Sequence, residues 1–211
     1  MHPTVTYLFD PLCGWCYGAS SAIEQLGQHS GLTLELAPTG LFASGGRILD
    51  AAFADYAWSN DLRIAKLTGQ RFTEAYRQNV LGCHGSRFDS ATTTLALTAV
   101  KLTEPLRELE TLKVLQTARY VQGLDTSVQS VVEALLQTLG LGLAAELMAT
   151  GGAALLDANA VRIRKAQGLM QTFGAQGVPT LVVTDNHGSR LLSGNALLGS
   201  FERLLNHIAT V

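Results

Sequence analysis

Apolar and polar positions along the chain predict strands near both ends and helices between them. The segment Thr4–Phe9 combines β-branched and aromatic residues without a charge, which predicts a buried strand. A helix is expected over about 14–28, with Ile23 and Leu26 pointing inward, and 32–36 alternates apolar and polar residues as a half-buried strand does. The N-terminal part is therefore predicted to be a strand–helix–strand unit.

Residues 39–47 are predicted to form a loop, and from there to about residue 176 the pattern is helical and no convincing strand is found. One apolar stripe spans 128–139, and Asp125 or Thr126 is its expected N-cap. A second stripe consists of Leu156, Ala160, Ile163, Met170 and Phe173. Stripes of this kind are more typical of helix packing than of a binding site.

The C-terminal part returns to strands. Residues 180–183 predict a strand, 185–188 a turn and 190–192 a short strand. A last amphipathic helix is expected after Asn195. The predicted order is βαβ, a long helical stretch, then ββα.

Composition narrows the class of protein. The 211 residues are 47% hydrophobic and 15% charged, with a formal net charge of -2 and no basic stripe, so nucleic acid and membrane surfaces are not expected partners. No apolar run reaches the roughly 18 residues of a spanning helix, and no secretory signal precedes the first cysteine. A cytoplasmic location is expected, or a periplasmic one if the chain is a processed mature form.

The chain has three cysteines, and two of them, Cys13 and Cys16, lie where the first strand meets its helix. The thiolate is the form that attacks a disulfide, and a helix start favours an anion there. We expect Cys13 to be the more exposed and more reactive thiol and Cys16 to release the mixed disulfide. Gly14 would allow close backbone approach, and Trp15 would offer an apolar face to a peptide.

Other interpretations of the cysteines remain. A Cys-x-x-Cys pair is also found as half of a metal site or as two unrelated buried thiols. Cys83 and His84 are most simply a buried thiol and a surface or core imidazole, although a third redox thiol or an intermolecular link is an alternative. A zinc site built from both pairs has the right number of ligands, but no metal is expected. Asp10 is most simply a turn residue that lies close enough to tune Cys13.

A second motif, Gly177–Thr180, precedes the late strand. Pro179 lacks a backbone donor, so it belongs at the first residues of a strand. On these residues alone an ordinary trans proline in a loop remains an alternative.

Together these motifs resemble the thioredoxin fold. The helical insertion and the run 9–18 (Phe-Asp-Pro-Leu-Cys-Gly-Trp-Cys-Tyr-Gly) resemble its DsbA-like branch, which includes predicted protein-disulfide isomerases and FrnE-like proteins. The resemblance implies a cis Val178–Pro179 bond that packs against the cysteine pair, with the Val178 backbone binding substrate. Two positions differ from the wider family. Tyr7 stands where many thioredoxin-like proteins carry a buried acid, and Ser21 stands where the active-site helix often has a proline that kinks it.

We therefore predict an α/β thioredoxin fold over 1–40 and 155–211, with a helical insertion at 41–154. The resemblance implies a thiol–disulfide oxidoreductase or isomerase acting on protein or peptide disulfides. Its redox-active dithiol would need no bound cofactor, and a thiol reductant or glutathione would recycle it. The rivals are a glutathione-dependent transferase or isomerase of the kappa or hydroxychromene-carboxylate type, and a non-catalytic peptide-binding module.

Overall fold

The computed structural model describes residues 2–209 and contains a four-stranded mixed sheet. Its strands are β1 (Thr4–Phe9), β2 (Thr33–Pro38), β3 (Thr180–Asp185) and β4 (Gly188–Ser193). The strand order is β2-β1-β3-β4; β1 pairs parallel with β2 and antiparallel with β3, and β3 pairs antiparallel with β4. The predicted βαβ and ββα units therefore form one sheet with β1 and β3 in its centre.

Helices cover the sheet and fill the segment between β2 and β3. Within residues 2–209 the α-helices are α1 (Gly14–Gly18), α2 (Ser20–Gln28), α3 (Ala51–Thr68), α4 (Glu74–Tyr76), α5 (Ala91–Thr103), α6 (Glu108–Tyr120), α7 (Gln129–Thr138), α8 (Gly142–Thr150), α9 (Ala153–Phe173) and α10 (Phe201–Ala209). A π-helical segment spans Arg77–Leu81, and 3₁₀ segments span Pro105–Arg107 and Gly194–Leu198. None of the helices in this part of the chain is long and apolar enough to cross a membrane.

This architecture is the predicted α/β thioredoxin fold with a helical insertion of the DsbA-like kind. Helices α3 to α8 lie between β2 and β3, and α9 returns to pack on β2. The division of the chain at 40 and 155 into two domains stays a prediction.

Three details differ from the sequence prediction. The helix expected over 14–28 is divided at Ala19 into α1 and α2. Neither Asp125 nor Thr126 caps α7, because its N-cap is Val128 and the Asp125 carboxylate instead accepts hydrogen bonds from Ser127. Leu156 is 50% exposed, since its neighbour Leu155 takes the inward position on α9.

Two hydrophobic clusters meet at the N-terminus of α1. Cys13 and Cys16 belong to the large cluster beneath the central strands. Leu12 and Tyr17 belong to a second, aromatic-rich cluster formed with the helical insertion. The first turn after β1 is thus packed from both sides, which fixes the motif between the sheet and the insertion.

Candidate active site

The two motif cysteines occupy different environments. Cys13 is the N-cap residue of α1 and is 7% exposed, whereas Cys16 is 1% exposed. The expected order of exposure is therefore confirmed. Burial, and then the neighbouring Cys13, raise the pKa of the Cys16 thiol well above its ordinary value, so Cys16 stays protonated near neutral pH.

The proline loop lies beside the nucleophile. The Val178–Pro179 peptide bond is cis, and the Val178 carbonyl oxygen accepts a 3.7 Å hydrogen bond from the Cys13 Sγ. On the other side of the loop, Gly194 lies so close that a Cβ there would be 2.0 Å from the Pro179 oxygen. The end of β4 therefore supports the loop from behind, and only glycine fits at that position.

Asp10 is a buried structural anchor for the segment that leads to Cys13. Its carboxylate accepts hydrogen bonds from the Leu12 N–H at 2.9 Å, the Phe42 N–H at 3.0 Å and the Ser90 hydroxyl at 2.8 Å. Burial raises the pKa of Asp10, and these hydrogen bonds partly oppose the shift. The side chain ties the motif to the loop before α3 and to the start of α5.

Tyrosine hydroxyls hold the backbone of the motif. Tyr7 donates to the Cys16 carbonyl at 3.2 Å, and Tyr120 donates to the Leu12 carbonyl at 2.7 Å. Burial raises the pKa of both phenols. At the position where many thioredoxin-fold proteins carry an acid, Tyr7 is thus a neutral hydrogen-bond donor.

A cavity of about 380 Å³ opens on the insertion side of Cys13. Aromatic side chains dominate its wall, among them Phe42, Phe53 and Phe88. Asp61 of α3 also lines it, although only 4% of this residue is exposed. Burial raises the pKa of Asp61 to about 7, while the Tyr76 hydroxyl and the Arg119 charge oppose the shift.

A second cavity of about 330 Å³ lies on the sheet side, between Trp15 and the proline loop. Val178, Pro179 and Asn195 contribute to its wall. Trp15 borders both cavities, and the Arg63 guanidinium lies 5.6 Å from the centroid of its ring. The structure therefore brings Trp15, Val178 and Pro179 together in one cavity, and the Val178 carbonyl joins this cavity to Cys13.

Cys83 and His84 do not join this site. The Cys83 thiol is exposed and donates to the Asn79 carbonyl at 3.0 Å, so the expected burial of Cys83 is wrong. Across residues 2–209 no group of three or more His, Cys, Asp or Glu side chains could hold a metal ion. The zinc arrangement considered from the sequence is therefore not formed.

Several site residues carry no local signal in the sequence. Asp61, Tyr76 and Tyr120 lie on helices of the insertion, where an isolated acid or tyrosine is typical of a surface or of a core. Gly194 has the appearance of a turn residue in the sequence. Their importance comes from contacts between segments that are distant in the chain, which periodicity does not reveal.

Comparison with known proteins agrees with this geometry. The family model for the DsbA-like thioredoxin domain matches residues 4–206. The chain belongs to the DsbA-like thioredoxin domain family. No curated protein sequence is significantly similar to this member.

Solved structures extend the comparison. The DsbA-like chain is 31% identical to the cytosolic disulfide reductase DsbM from Pseudomonas aeruginosa, with 97% of each chain covered and a TM-score of 0.84. It is equally similar in sequence to DsbM with GSH, where the TM-score is 0.82. A candidate protein disulfide isomerase from Nitrosomonas europaea is 20% identical over the whole of both chains, with a TM-score of 0.80.

A 2-hydroxychromene-2-carboxylate isomerase also shares the fold. The two sequences are 16% identical, and the match covers 97% of the DsbA-like chain and 95% of the isomerase, with a TM-score of 0.62. At this identity the likeness concerns the fold alone.

Proposed function

We propose that this DsbA-like protein is a thiol–disulfide oxidoreductase that acts on protein or peptide disulfides through Cys13 and Cys16. The observation that carries the proposal is the asymmetry of the pair. Cys13 lines the insertion-side cavity and lies next to the Val178 carbonyl, and Cys16 is a buried, protonated thiol. Dithiol exchange requires one thiol that faces the substrate as the nucleophile and a second thiol that resolves the mixed disulfide from behind it.

In the reducing direction, the Cys13 thiolate attacks one sulfur of a substrate disulfide and the other sulfur leaves with the bonding electron pair. A mixed disulfide then joins Cys13 to the substrate. Cys16 loses its proton and attacks the Cys13 sulfur, which releases the second substrate sulfur and leaves a Cys13–Cys16 disulfide. The substrate gains two electrons, and the dithiol loses two.

We infer that a peptide substrate binds along the sheet-side cavity. Val178 presents its carbonyl next to the Cys13 Sγ, and the exposed part of Trp15 offers an apolar surface on the same side. Backbone groups would position the peptide, and the indole would bury part of its apolar surface. Gly14 and Asp10 support the motif without contacting this peptide.

The proposed physiological direction is reduction in the cytoplasm, with glutathione as the recycling thiol. The 31% identity to a cytosolic disulfide reductase, which has also been observed with GSH, supports both points. A reducing compartment keeps a dithiol in the state that the reductase reaction uses. Isomerisation requires the same attack by Cys13 and is the second activity to assay.

Trapping of mixed disulfides tests the proposal. A Cys16→Ala variant should accumulate mixed disulfides with oxidised protein substrates, because attack proceeds and release is blocked. Cys13→Ala should trap none, and Cys83→Ser, which removes a thiol outside the site, should behave as wild type. Non-reducing electrophoresis with mass analysis provides the readout.

The alternatives give different results. A glutathione-dependent transferase or isomerase would keep its turnover without Cys16, and a peptide-binding module would hold peptides equally well without either motif cysteine. If Cys16→Ala captures nothing and its turnover is unchanged, the dithiol mechanism is wrong.

A further inference from the structure

The cavity on the insertion side of Cys13 contains a single acid among the described residues that line it. That acid is Asp61, which α3 places in the wall. The other ionisable side chains of the wall are Cys13, Arg47, Tyr56, Tyr76 and Tyr120. Arg119 adds a buried charge from α6 behind Tyr76, with its guanidinium carbon 5.8 Å from the centroid of that ring. A carboxyl group is thus present where a small molecule would approach Cys13 from the side opposite the proposed peptide cavity.

The Asp61 carboxylate is held in one orientation. Its Oδ2 accepts a hydrogen bond from the Tyr76 hydroxyl at 3.2 Å. Its Oδ1 lies against Gly14, where a Cβ would be only 2.5 Å away. Because Gly14 directly follows Cys13, this contact places the carboxylate beside the nucleophile's own backbone, at a position that any larger residue at 14 would disturb.

We propose that Asp61 is the acid–base residue for a small thiol, of the glutathione class, that exchanges with Cys13 in this cavity. The inference rests on the proposed dithiol function and adds the group that moves the proton of the recycling thiol. When the enzyme is oxidised, Asp61 accepts the proton of the incoming thiol, and the resulting thiolate attacks the Cys13 sulfur. The Cys13–Cys16 bond breaks, Cys16 leaves with the electron pair and gains a proton from water, and a mixed disulfide of the small thiol with Cys13 forms. A second small thiol then attacks the small thiol's sulfur in that mixed disulfide, Cys13 leaves as the thiolate, and a disulfide of the two small thiols is released.

The chemistry of thiols explains why such a residue is useful. A cysteine thiol with an ordinary pKa near 8.5 is mostly protonated at neutral pH, and only the thiolate attacks. Burial raises the pKa of Asp61 to about 7, with Tyr76 and Arg119 opposing the shift, so both of its protonation states are populated there. In the reverse direction the protonated carboxyl would return the proton to a departing thiolate.

Two reactions test the inference, one in which the attacking small thiol needs a proton acceptor and one in which no small thiol attacks. The first is the reduction of the oxidised enzyme by glutathione, followed from pH 5 to pH 9. The second is the attack of the reduced enzyme on an aromatic disulfide, 5,5′-dithiobis(2-nitrobenzoate), whose coloured thiolate needs no proton to leave. The variants are Asp61→Asn and, as a matched control, Asp55→Asn at an exposed position of the same helix.

We expect Asp61→Asn to slow the glutathione reaction at pH 7 by about tenfold or more, in the range of lost acid–base catalysis. The deficit should shrink towards pH 9, where glutathione ionises unaided, and the aromatic disulfide reaction should not be slowed. Asp55→Asn should match wild type in both. Equal losses in both reactions, or a loss that does not change with pH, would overturn the assignment.

Tyr76→Phe provides an independent variant should Asp61→Asn fail to fold. Loss of the hydroxyl donor removes a hydrogen bond that stabilises the carboxylate, so the inflection of the glutathione rate should move to higher pH. An unmoved inflection would contradict the role of Asp61. If the wild-type Cys13–Cys16 pair does not react with glutathione at all, both the proposed recycling by this thiol and the role of Asp61 are refuted. If the wild type reacts and Asp61→Asn has the same pH profile, only the role of Asp61 is refuted.

Discussion

The Sγ of Cys13 lies 3.7 Å from the carbonyl oxygen of Val178, although 165 positions separate the two residues in the chain. This contact joins the start of α1 to the loop before β3. The contact results from the antiparallel pairing of β1 with β3. The last pair of this ladder is Leu8 with Thr180, the first residue of β3. The central strands thus set the distance between the nucleophile and the backbone proposed to bind a peptide.

Asp10→Ala should destabilise the fold and reduce activity together. The substitution leaves the Leu12 and Phe42 N–H groups and the Ser90 hydroxyl without their acceptor. Unsatisfied buried donors cost about 1–3 kcal/mol each before water or local rearrangement compensates, so we expect a loss of about 2–4 kcal/mol in the free energy of unfolding. Urea unfolding measures the loss.

A matched control is Asp89→Ala, which also removes an acceptor of two backbone N–H groups, those of Ser44 and Ala91. Asp89 is less buried, and its loss should cost about 1 kcal/mol, as the loss of a helix cap does. Equal effects of the two substitutions would show that Asp10 has no special role in the motif.

Gly194→Ala should displace the proline loop. A Cβ at this position would be 2.0 Å from the Pro179 oxygen and 2.9 Å from its carbonyl carbon, and both are backbone atoms that move only with the loop. We expect kcat/KM for a peptide disulfide to fall by about tenfold or more, since a misplacement of about 1 Å is sufficient for such losses. Attack on a small aromatic disulfide should be less affected.

Gly199→Ala provides the comparison for that experiment, because the nearest atom to its added Cβ is 4.0 Å away. It should retain wild-type kcat/KM. A Gly194→Ala enzyme with unchanged peptide kinetics would argue against a role of the loop in binding.

Asp61→Asn should change how stability depends on pH. The unfolded chain releases the Asp61 proton near the ordinary pKa of 3.8, whereas the folded protein keeps it up to about pH 7. Between these values the native state binds more protons, so wild-type stability declines as pH rises and then levels off. The Asp61→Asn side chain does not titrate in this range, so the variant lacks this dependence of stability on pH.

The variant should therefore gain stability relative to wild type between pH 4 and pH 8, by up to about 4 kcal/mol at 1.36 kcal/mol per pKa unit. Urea unfolding at both pH values, with Asp55→Asn as the control, measures this gain. Parallel pH dependences of wild type and Asp61→Asn would contradict it.

Cys83→Ser should leave disulfide reductase activity close to that of wild type. The thiol is exposed, donates to the Asn79 carbonyl, and lies outside both cavities that Trp15 borders. Turnover of a model disulfide by the purified variant tests this. A loss comparable with that of Cys13→Ser would identify Cys83 as a functional thiol.

Most elements and the position of the motif are predictable from the sequence alone. The uncharged β-branched and aromatic residues of β1, the alternation in β2 and the helical stripes of the insertion are local patterns. The Cys13–Cys16 spacing at a strand–helix junction is also visible without a structure. Errors arose where tertiary contacts outweighed local preference. Asp125 has a good capping side chain, but it bonds to Ser127 and to the Arg119 guanidinium instead.

The surroundings of Cys13 depend on contacts between segments that are distant in the chain. The pairing of β1 with β3 brings Val178 to the thiol, the end of β4 places Gly194 behind Pro179, and α3 turns Asp61 towards Gly14. An aspartate within a helix has no sequence feature that distinguishes a solvated side chain from a buried one. Its burial, and therefore its raised pKa, depends on the packing of α3 against α1 and on the contacts of Asp61 with Gly14 and Tyr76.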